Sequence, residues 1–570
     1  MTLAILAFAT LSVIPAPRAV RYLGGRGQFS EEMIRQAVAN FSADKTISPE
    51  GYRTEIDENG VSVWASTESG AFYAGQTLRQ LLRPDGTMDY ASISDAPEFS
   101  WRGIHLDVAR HFFGKDVIIR LLEQMAQFKL NVLHLHLTDD QGWRIPVPGF
   151  PKLTEATRPV ENRRNFRDLS AEGVYGPFSY TVDELKEVVR RASELHIAIV
   201  PEVEIPGHSK LLLQNYPAFS CAVTNRLVDN VACVGKLRTL EFFEHTLDVV
   251  CEIFPGPVVH IGGDECDRRD WMKCPDCLSR MRKESIDEVA ALQAWVTAHF
   301  EKYLASKGKR LMGWDEIAEG GLPESSMVMS WRGTSTGVVA ARKNHDVVMC
   351  PNDFCYFDYE QCVEDDPVSY MIDWTVPVPW TKTYSFDPYK GVPLSNRRHI
   401  LGAQGNNWTE KTCTEAELQW KLWPRAIAMA EVLWTNPAKR DVREFAQRLR
   451  TCRASLVASG VNAAPVDFGR KGAAAGRLLY PQGKDGNQLV YQCGMMRADL
   501  AIENGELSVK VNGNELRSYK KDSEFCVLEV TELEPSAYLV TARRKSSEIV
   551  VVIVLVGERV SIRDRWDGEG

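Results

Sequence analysis

The chain has no cluster of lysine and arginine, and beyond its start it has no apolar run long enough to cross a membrane. The first absence, together with a net charge of −9, argues against nucleic acid or an anionic membrane as a partner and favours a neutral substrate. The longest later apolar run, 549–556, predicts a buried strand. An apolar fraction of 44% and a charged fraction of 25% argue against disorder, so 570 residues predict two or three folded domains.

The start of the chain, residues 1–14, is apolar but lacks the basic segment that opens a secretory signal peptide. Residues 7–9 have the small-x-small pattern of a cleavage site. The segment is therefore either the remainder of a trimmed signal peptide or a first strand. The first alternative predicts a periplasmic or secreted protein, and the second leaves a cytoplasmic location open.

Cysteine is not scarce, but its 13 copies are an odd number, so they cannot all pair within one chain. Cys274 and Cys277, with Cys266 nearby, have the spacing of half a zinc site, but no second spaced Cys or His pair lies close by. Free thiols or one disulfide are therefore favoured over a metal. Cys221 and Cys233 flank a short polar loop and could pair in an oxidising compartment. No metal and no cofactor are predicted.

Three domains follow from the pattern of elements. Residues 1–95 predict a small α+β domain, residues 96–459 a barrel and residues 460–570 a β-rich accessory domain. The first domain has helical patterns at 31–41 and 71–82 and, between them, alternating strand patterns at 52–56 and 61–65. The last has turn signals at Asn504-Gly505 and Asn512-Gly513 between alternating stretches.

The middle domain alternates short apolar strands with amphipathic helices, which is typical of βα units and a parallel sheet. The predicted strands are 103–107, 131–137, 198–203, 258–261, 310–312, 327–329, 347–349 and 400–404, and helices at 423–434 and 442–459 complete the domain. Eight parallel strands favour a closed (β/α)8 TIM barrel, in which active sites gather at the carboxyl ends of the strands. The residues that follow each strand are therefore the candidate site.

The most informative strand end is the run from His260 through Gly262 and Gly263 to Asp264 and Glu265. Successive side chains of a strand point to opposite faces, so the strand has to break for both carboxylates to serve one site. The glycines permit that break. The other strand ends carry acids, an arginine, histidines and tryptophans: Asp107, Arg110, His111, Asp139, Glu202, Glu204, His208, Trp314, Trp331, Asp358, Trp408 and Glu410. Three tryptophans at strand ends beside carboxylates favour a sugar pocket.

With these residues in hand, the chain resembles the glycoside hydrolase family 20 β-N-acetylhexosaminidases from about residue 13 to residue 455. The resemblance rests on motifs that occur in order at the strand ends: Trp101-Arg102-Gly103, Asp107 with Arg110-His111, His134 to Asp139-Asp140, Pro206-Gly207-His208, His260-x-Gly-Gly-Asp-Glu265, Gly313-Trp314-Asp315-Glu316, Ser330-Trp331-Arg332-Gly333, Tyr384-Ser385-Phe386-Asp387-Pro388, Gly402-Ala403-Gln404, Asn407-Trp408-Thr409-Glu410 and Pro424-Arg425-Ala426. One departure is Glu204, where the family usually has Asp. It could change how His208 or Asp139 is held.

The resemblance implies an exo-acting, retaining β-N-acetylhexosaminidase in which the substrate's own acetamido oxygen is the nucleophile, an arrangement known for this family. Glu265 would protonate the leaving oxygen, and Asp264 would orient the acetamido group and stabilise the developing oxazolinium charge. A pair of neighbouring carboxylates would separate into one acid that carries a proton and one charged stabiliser. The other implied catalytic residue is Tyr356, which would donate to the acetamido oxygen.

The remaining implied roles concern substrate binding. Trp314, Trp331 and Trp408 would wall the acetamide and the sugar face. The terminal sugar would be held at its hydroxyls by Arg110, Asp358 and Glu410. Asp139, His208 and His260 would orient the two acids, whereas His134 would be a core histidine. The substrates would be glycans ending in N-acetylhexosamine, or chitooligosaccharides, with the preference between GlcNAc and GalNAc left open and no signal for an oligomeric state.

Two other functions fit parts of the pattern. His134-x-His136 with His208, His260 and Asp264 could form the metal centre of a barrel amidohydrolase. A carbohydrate-binding protein without catalysis could keep the same pocket, but such proteins usually lose the acid, and Glu265 is present.

Overall fold

The computed structural model describes residues 13–159, 174–223, 226–361 and 377–466, together with nine strands between residues 477 and 564. Residues 1–12, and with them most of the segment interpreted as a signal peptide or a first strand, lie outside the described residues. None of the helices in the described ranges has both the length and the apolar character needed to span a membrane.

The N-terminal domain is a mixed five-stranded sheet, in the order β1-β5-β3-β4-β2, with two helices packed against it. Its elements are β1 (Ala19–Gln28), α1 (Glu31–Ala39), β2 (Ser42–Ala43), β3 (Tyr52–Asp57), β4 (Gly60–Ala65), α2 (Glu68–Leu81) and β5 (Thr87–Asp95). Both predicted helices and both predicted strands are confirmed. The sequence argument missed β1, because β1 contains three glycines, a register shift and almost no buried side chain.

The second domain is a closed barrel of eight parallel strands. They are β6 (Trp101–Asp107), β7 (Val132–His136), β8 (Ala198–Glu202), β9 (Val258–His260), β10 (Arg310–Trp314), β11 (Met327–Ser330), β12 (Val347–Met349) and β13 (Ile400–Asn407). Each pairs with its neighbour in chain order, and β13 closes on β6 through the pairs from Gly402–Trp101 to Asn407–Leu106. The TIM barrel is therefore confirmed, and so are all eight strands, although β13 extends three residues past its predicted end.

Helices surround the barrel because their apolar faces cover the outer side of the strands. They are α3 (Lys115–Gln127), α4 (Val182–Glu194), α5 (Leu237–Ile253), α6 (Pro275–Lys283), α7 (Val289–Ser306), α8 (Ser335–Arg342), α9 (Glu415–Leu422), α10 (Arg425–Trp434) and α11 (Val442–Ala458). Thr181 and Glu184 form a capping box that starts α4, and Thr414 and Glu417 form another that starts α9. A hairpin of Ser220–Val223 and Arg226–Ala232 projects between β8 and α5.

The C-terminal region forms two antiparallel sheets of five and four strands. Their strands are Arg477–Leu479, Gln488–Cys493, Met496–Glu503, Glu506–Val511, Asn514–Tyr519, Phe525–Glu534, Ala537–Arg544, Ile549–Val556 and Arg559–Asp564. The predicted strand 549–556 is present. The predicted turn residues at 504–505 and 512–513 lie outside the described residues, but the strands on either side of each turn pair in antiparallel register.

Candidate active site

The backbone breaks at the end of β9, as the paired glycines predict. Gly262 and Gly263 have φ of 64° and 93°, and Glu265 itself has a φ of 44°. A Cβ on Gly262 would lie 2.0 Å from Oε2 of Glu204, so no side chain fits there. The result is that Asp264 is buried while the side chain of Glu265 is 61% exposed.

One histidine connects both acids to Asp139. His208 Nε2 lies 3.6 Å from Asp264 Oδ2 and 3.7 Å from Glu265 Oε2, and its Nδ1 lies 3.3 Å from Asp139 Oδ1. Burial alone would lower the pKa of His208, but the charge of Asp139 and hydrogen bonds to Asp139 and Asp140 raise it well above its ordinary value. The predicted orienting role of Asp139 and His208 is consistent with this geometry.

Burial of Asp264 runs against the expectation that it is the charged member of the pair, whereas His208 favours its charged form. Burial, and then the charge of Glu202, raise the pKa of Asp264 above its ordinary value, although His208 opposes that shift. The outer oxygen Oδ1 of Asp264 is buried and, within the described residues, makes no hydrogen bond. Buried carboxylate oxygens are normally bonded, so this atom is a candidate acceptor for a donor from a ligand.

A buried carboxylate supports the floor of the pocket, and the sequence argument gave it no role. Glu202, at the end of β8, lies 2.6 Å from His136 Nδ1, 2.9 Å from His260 Nδ1 and 3.1 Å from His134 Nε2. Trp314 Nε1 donates at 2.7 Å to Glu202 Oε1, the oxygen that His260 also contacts, whereas His134 and His136 contact Oε2. Its position in the strand-end run Glu202-Val203-Glu204 was the available signal, but nothing in the sequence shows which residues surround it.

This cluster includes His260, whose Nδ1 accepts from Gly262 N at 3.0 Å in the turn that leads to the two acids, so its predicted orienting role stays a prediction; the cluster also bears on the amidohydrolase alternative. His260 contacts Glu202 and packs its ring 4.9 Å from Trp314, so it supports the pocket floor and does not contact the two acids directly. His134 is fully buried, as predicted, and accepts from Gln404 at 3.0 Å. A catalytic metal must remain open to substrate, whereas these histidines lie fully buried in contact with Trp314.

Glu204, the departure from the family pattern, lies close enough to His208 and Asp139 to interact with their charges, so its predicted effect on them stays a prediction. Its Oε1 is 3.8 Å from His136 Nδ1, and its carboxyl group lies against Gly262. Burial and the neighbouring Asp264 raise the pKa of Glu204 well above its ordinary value. The Glu204 carboxyl therefore occupies the space beside Gly262 that a side chain would need.

The predicted aromatic wall forms above this floor. Trp314 and Trp408 have ring centroids 5.7 Å apart, and Trp331 stacks on Tyr356 at 6.1 Å. Tyr356 is also 6.5 Å from Trp408, so the four rings are continuous. Burial raises the pKa of Tyr356 well above its ordinary value, so its hydroxyl remains a hydrogen-bond donor. The residues predicted for the acetamide pocket are thus brought together.

The residues predicted to bind sugar hydroxyls lie next to this aromatic wall. Arg110 Nη2 is 2.8 Å from Asp139 Oδ2 and 3.7 Å from Glu410 Oε1, and its guanidinium lies 4.9 Å from the Trp408 ring. Asp358 Oδ1 is buried with no hydrogen-bond partner among the described residues. Burial, and then Glu410, raise the pKa of Asp358 to about 7. Asp358 therefore has an acceptor that no described residue uses, and the side chain of Glu410 is 40% exposed.

A barrel whose strand ends carry this aromatic and acidic pocket defines a carbohydrate-active protein of the (β/α)8 type. The sequence patterns of known families agree with that class. "Glycosyl hydrolase family 20, catalytic domain" matches residues 99–437, and "Glycosyl hydrolase family 20, domain 2" matches residues 28–96. The chain belongs to glycosyl hydrolase family 20.

Similar proteins agree with this family. A beta-hexosaminidase of Porphyromonas gingivalis is 38% identical over 435 residues, which cover 73% of this chain and 55% of that protein. A beta-hexosaminidase of Vibrio furnissii is 32% identical over 71% of this chain and 68% of its own length. A GH20 exo beta-N-acetylglucosaminidase from Vibrio harveyi, crystallised with N-acetylglucosamine, superimposes with a TM-score of 0.73 at 28% identity, covering 80% of this chain and 79% of that one. The chain thus spans little more than half of the Porphyromonas protein.

Proposed function

We propose that the chain is an exo-acting, retaining β-N-acetylhexosaminidase that removes terminal non-reducing β-linked GlcNAc or GalNAc by substrate-assisted catalysis. The observation that carries this proposal is Asp264, a buried carboxylate with an unbonded oxygen, next to an exposed acid inside an aromatic pocket. A 2-acetamido N–H is a donor suited to such an oxygen.

The reaction has two steps. The acetamido oxygen attacks the anomeric carbon, the glycosidic bond breaks, and Glu265 gives its proton to the leaving oxygen. Water then attacks the anomeric carbon of the oxazolinium ion and gives a proton to Glu265, which restores the acetamido group and the β configuration. Asp264 accepts from the acetamido N–H throughout, and its charge stabilises the oxazolinium. Tyr356 donates to the acetamido oxygen and holds it for attack.

The leaving group has room beside Glu265. A cleft of about 300 Å³ is lined by Glu265, Cys266, Arg268, Gln293, Glu316, Glu319, Trp331 and Arg332. Arg268 and Arg332 both pair with Glu319, at 2.9 and 3.1 Å. This polar surface suits the hydroxyl groups of a second sugar, so the proposed substrates are N-acetylhexosamine-terminated glycans or chitooligosaccharides.

Exo action follows from the other side of the pocket. Arg110 has a planar set of donors suited to two adjacent ring hydroxyls, and Glu410 and Asp358 can accept from hydroxyls 4 and 6. Groups that bind these hydroxyls leave no room for a further sugar at those positions. The substrate is therefore a terminal residue.

The test is a series of aryl β-N-acetylglucosaminides with successive fluorine atoms on the acetyl methyl. Fluorine weakens the acetamido oxygen as a nucleophile with little change in size, so the rate should fall steeply along the series. An equal rate along the series, together with an adduct on Asp264 from a 2-fluoro sugar, would instead establish an enzyme nucleophile. No cleavage of any member would leave only a binding function and would refute the proposal.

We also propose a location outside the cytoplasm, on the basis of the apolar start and its small-x-small pattern. Fractionation of producing cells with an enzyme assay tests this point. Activity confined to the cytoplasm would contradict it.

A further inference from the structure

Four cysteines from two distant parts of the chain meet in one buried cluster. Cys221, Cys233, Cys274 and Cys277 are free thiols, all buried, and their sulfur atoms lie within 4.8 Å of one another. The sequence pattern indicated only Cys274 and Cys277 as half of a site. Cys233 lies 41 residues before Cys274, and Cys221 lies 56 residues before Cys277, so their proximity is not visible in the sequence. The suggested Cys221–Cys233 disulfide is absent.

The distances favour a tetrahedral centre over disulfides. Sγ of Cys233 is 3.6 Å from that of Cys274 and 3.7 Å from that of Cys277, and Cys277 is also 3.7 Å from Cys221. Zinc–sulfur bonds of about 2.3 Å in a regular tetrahedron place the sulfurs about 3.8 Å apart. Two disulfides would give each sulfur a single close partner, whereas Cys233 and Cys277 each have two at similar distances.

Local structure presents the thiols from two compact turns. Cys221 lies in the first strand of the hairpin between β8 and α5, and Cys233 directly follows the second strand. Cys274 is the N-cap of α6, and Cys277 lies in its first turn. A Cβ on Gly235 would lie 2.2 Å from the carbonyl carbon of Asp276, so only glycine allows the two turns to approach this closely.

The cluster lies in an electropositive environment. The amino end of α6 carries the positive end of the helix dipole, at Cys274 and Cys277. Lys236 follows Cys233 in the chain, and its ammonium donates to the carbonyl oxygens of Ala218 and Ser220, next to Cys221. Four thiolates and one divalent cation have a net charge of −2, and this charge is offset by the amino end of α6 and by the Lys236 ammonium.

We propose that these four cysteines bind one structural Zn²⁺ ion, with release of the four thiol protons. A closed set of four thiolates around a tetrahedral centre suits zinc that holds structure and has no open position for substrate. The inference does not depend on the proposed glycosidase activity.

The zinc site joins the two loops that carry the candidate catalytic residues. The hairpin is bonded to the loop of His208, through Ala232 N to Pro206 O at 2.9 Å and Ser209 N to Asn230 O at 3.0 Å. The chain after Glu265 reaches Cys274 through Trp271, whose indole donates to Ala232 O at 3.3 Å. One ion therefore ties the position of His208 to that of Asp264 and Glu265.

Metal content is the direct test. Protein purified without a metal-affinity tag should contain about one zinc per chain by mass spectrometry of the elements. A Cys274→Ser, Cys277→Ser double variant should contain none, whereas Cys251→Ser, at a half-buried cysteine on α5 outside the cluster, should keep the full content. Wild-type protein without zinc, or with iron in its place, would overturn the proposal.

A second measurement uses only the wild type, because the double variant could fail to fold. A mercurial reagent should release one zinc per chain, measured with a colorimetric indicator, together with reaction of the four thiols. Chelation should lower Tm and increase hydrogen exchange in 206–234 and 264–277, while β6 and β7 stay protected. Unchanged exchange in those two segments after zinc loss would refute the link between the loops, and disulfides at these cysteines in peptide maps would refute the site.

Discussion

Asp264 and Glu265 are neighbours in sequence but occupy opposite environments. The Asp264 carboxylate is buried, where its pKa rises, whereas Glu265 extends into the open cleft. Adjacent strand residues normally face apart, and the positive φ of Glu265 after two glycines brings both near His208. The difference suits one residue that stays with the acetamido group and another that exchanges protons with the leaving group and water.

Glu265→Gln should lower hydrolysis of natural disaccharides by about 10²- to 10⁴-fold, because the leaving alkoxide would depart without a proton. An aryl glycoside with a good leaving group should lose less in its first step. Single-turnover rates on both substrates measure the difference. Because the side chain is 61% exposed, Tm should hardly change. Equal losses on both substrates would show that Glu265 is not the acid.

Asp264→Asn should lower kcat by an amount equivalent to a few kcal/mol, because a neutral amide cannot stabilise the oxazolinium charge. It should also raise stability at neutral pH. The folded state holds the Asp264 proton more tightly than the unfolded state. The wild type therefore loses unfolding free energy as the pH rises through the folded pKa of Asp264, whereas the variant has no such loss. Denaturant unfolding at acidic and neutral pH checks the sign. A less stable variant at neutral pH would contradict the assigned burial effect.

Arg110→Lys should raise KM and lower kcat, because an ammonium cannot replace the planar donors that contact Asp139 and two sugar hydroxyls. Arg110→Ala should be worse, since Asp139 would lose its partner as well. Steady-state kinetics on a chitooligosaccharide separates the two parameters. Near-full activity of the Lys variant would make Arg110 a structural partner of Asp107, from which it lies 3.3 Å.

At the scale of elements, Glu202 at the end of β8 connects side chains from three other strands. It contacts His134 and His136 of β7, His260 of β9 and Trp314 of β10. One carboxylate therefore fixes the mutual positions of four strand ends below the sugar pocket.

Glu202→Gln should lower the unfolding free energy by less than the about 3–5 kcal/mol that a buried cation loses with its only partner, because His136 keeps Asp139 at 2.8 Å. Burial alone would lower the pKa of His136, but Glu202 and Asp139 raise it to about 10, from 6.5. The stabilisation that comes from the His136 charge is complete below pH 6.5 and is lost as the pH rises toward 10. Nearby histidines hold the pKa of Glu202 well below 4.5, so its own contribution is present above that value and is lost in acid.

The stability difference between wild type and Glu202→Gln should therefore be largest between about pH 4.5 and 6.5. Denaturant unfolding across this range measures it, with Glu204→Gln as the matched neighbour whose carboxyl has a raised pKa. A difference that does not vary with pH would refute the ionic account of the cluster.

The elements also show how far the sequence could predict the molecule. The hydrophobic pattern and its flanking residues predicted the eight barrel strands. The positions of Asp264, Glu265, Trp314, Trp331 and Trp408 after those strands made them candidate site residues. Both signals are local in the sequence. The partners of Glu202 and the second cysteine pair could not be predicted, since both depend on contacts between residues far apart in the chain. The contact of His260 with Glu202 could not be predicted for the same reason, because a strand pattern does not specify the depth of a side chain.

At the scale of the whole molecule, Asp95 joins the N-terminal domain to the barrel. Its carboxylate contacts Lys129 Nζ at 3.0 Å, the Tyr52 hydroxyl at 2.7 Å and the Trp434 indole at 2.9 Å. Lys129 is fully buried, and burial lowers its pKa despite the nearby carboxylate. The domain contact therefore includes a charge that has no water around it.

Asp95→Ala should lower the unfolding free energy by about 3–5 kcal/mol, because Lys129 would remain buried without its counter-charge, with only the Tyr52 hydroxyl left as a hydrogen-bond partner. Glu32→Ala is the control: its pair with Arg35 is exposed, so its loss should cost less than about 1 kcal/mol. Denaturant midpoints of both variants check the comparison. Equal midpoints for the two variants would show that the buried pair contributes no more than a surface one.

The same contact bears on any attempt to shorten the protein. Besides Lys129, the barrel buries Arg102 completely, and Arg102 pairs with Glu50 of the N-terminal domain at 2.7 Å. A chain cut before residue 96 would leave both cations facing solvent or apolar groups without their counter-charges. The first domain thus provides the carboxylates that neutralise two buried cations of the barrel. A different first domain fused to this barrel would have to place carboxylates where Glu50 and Asp95 now lie.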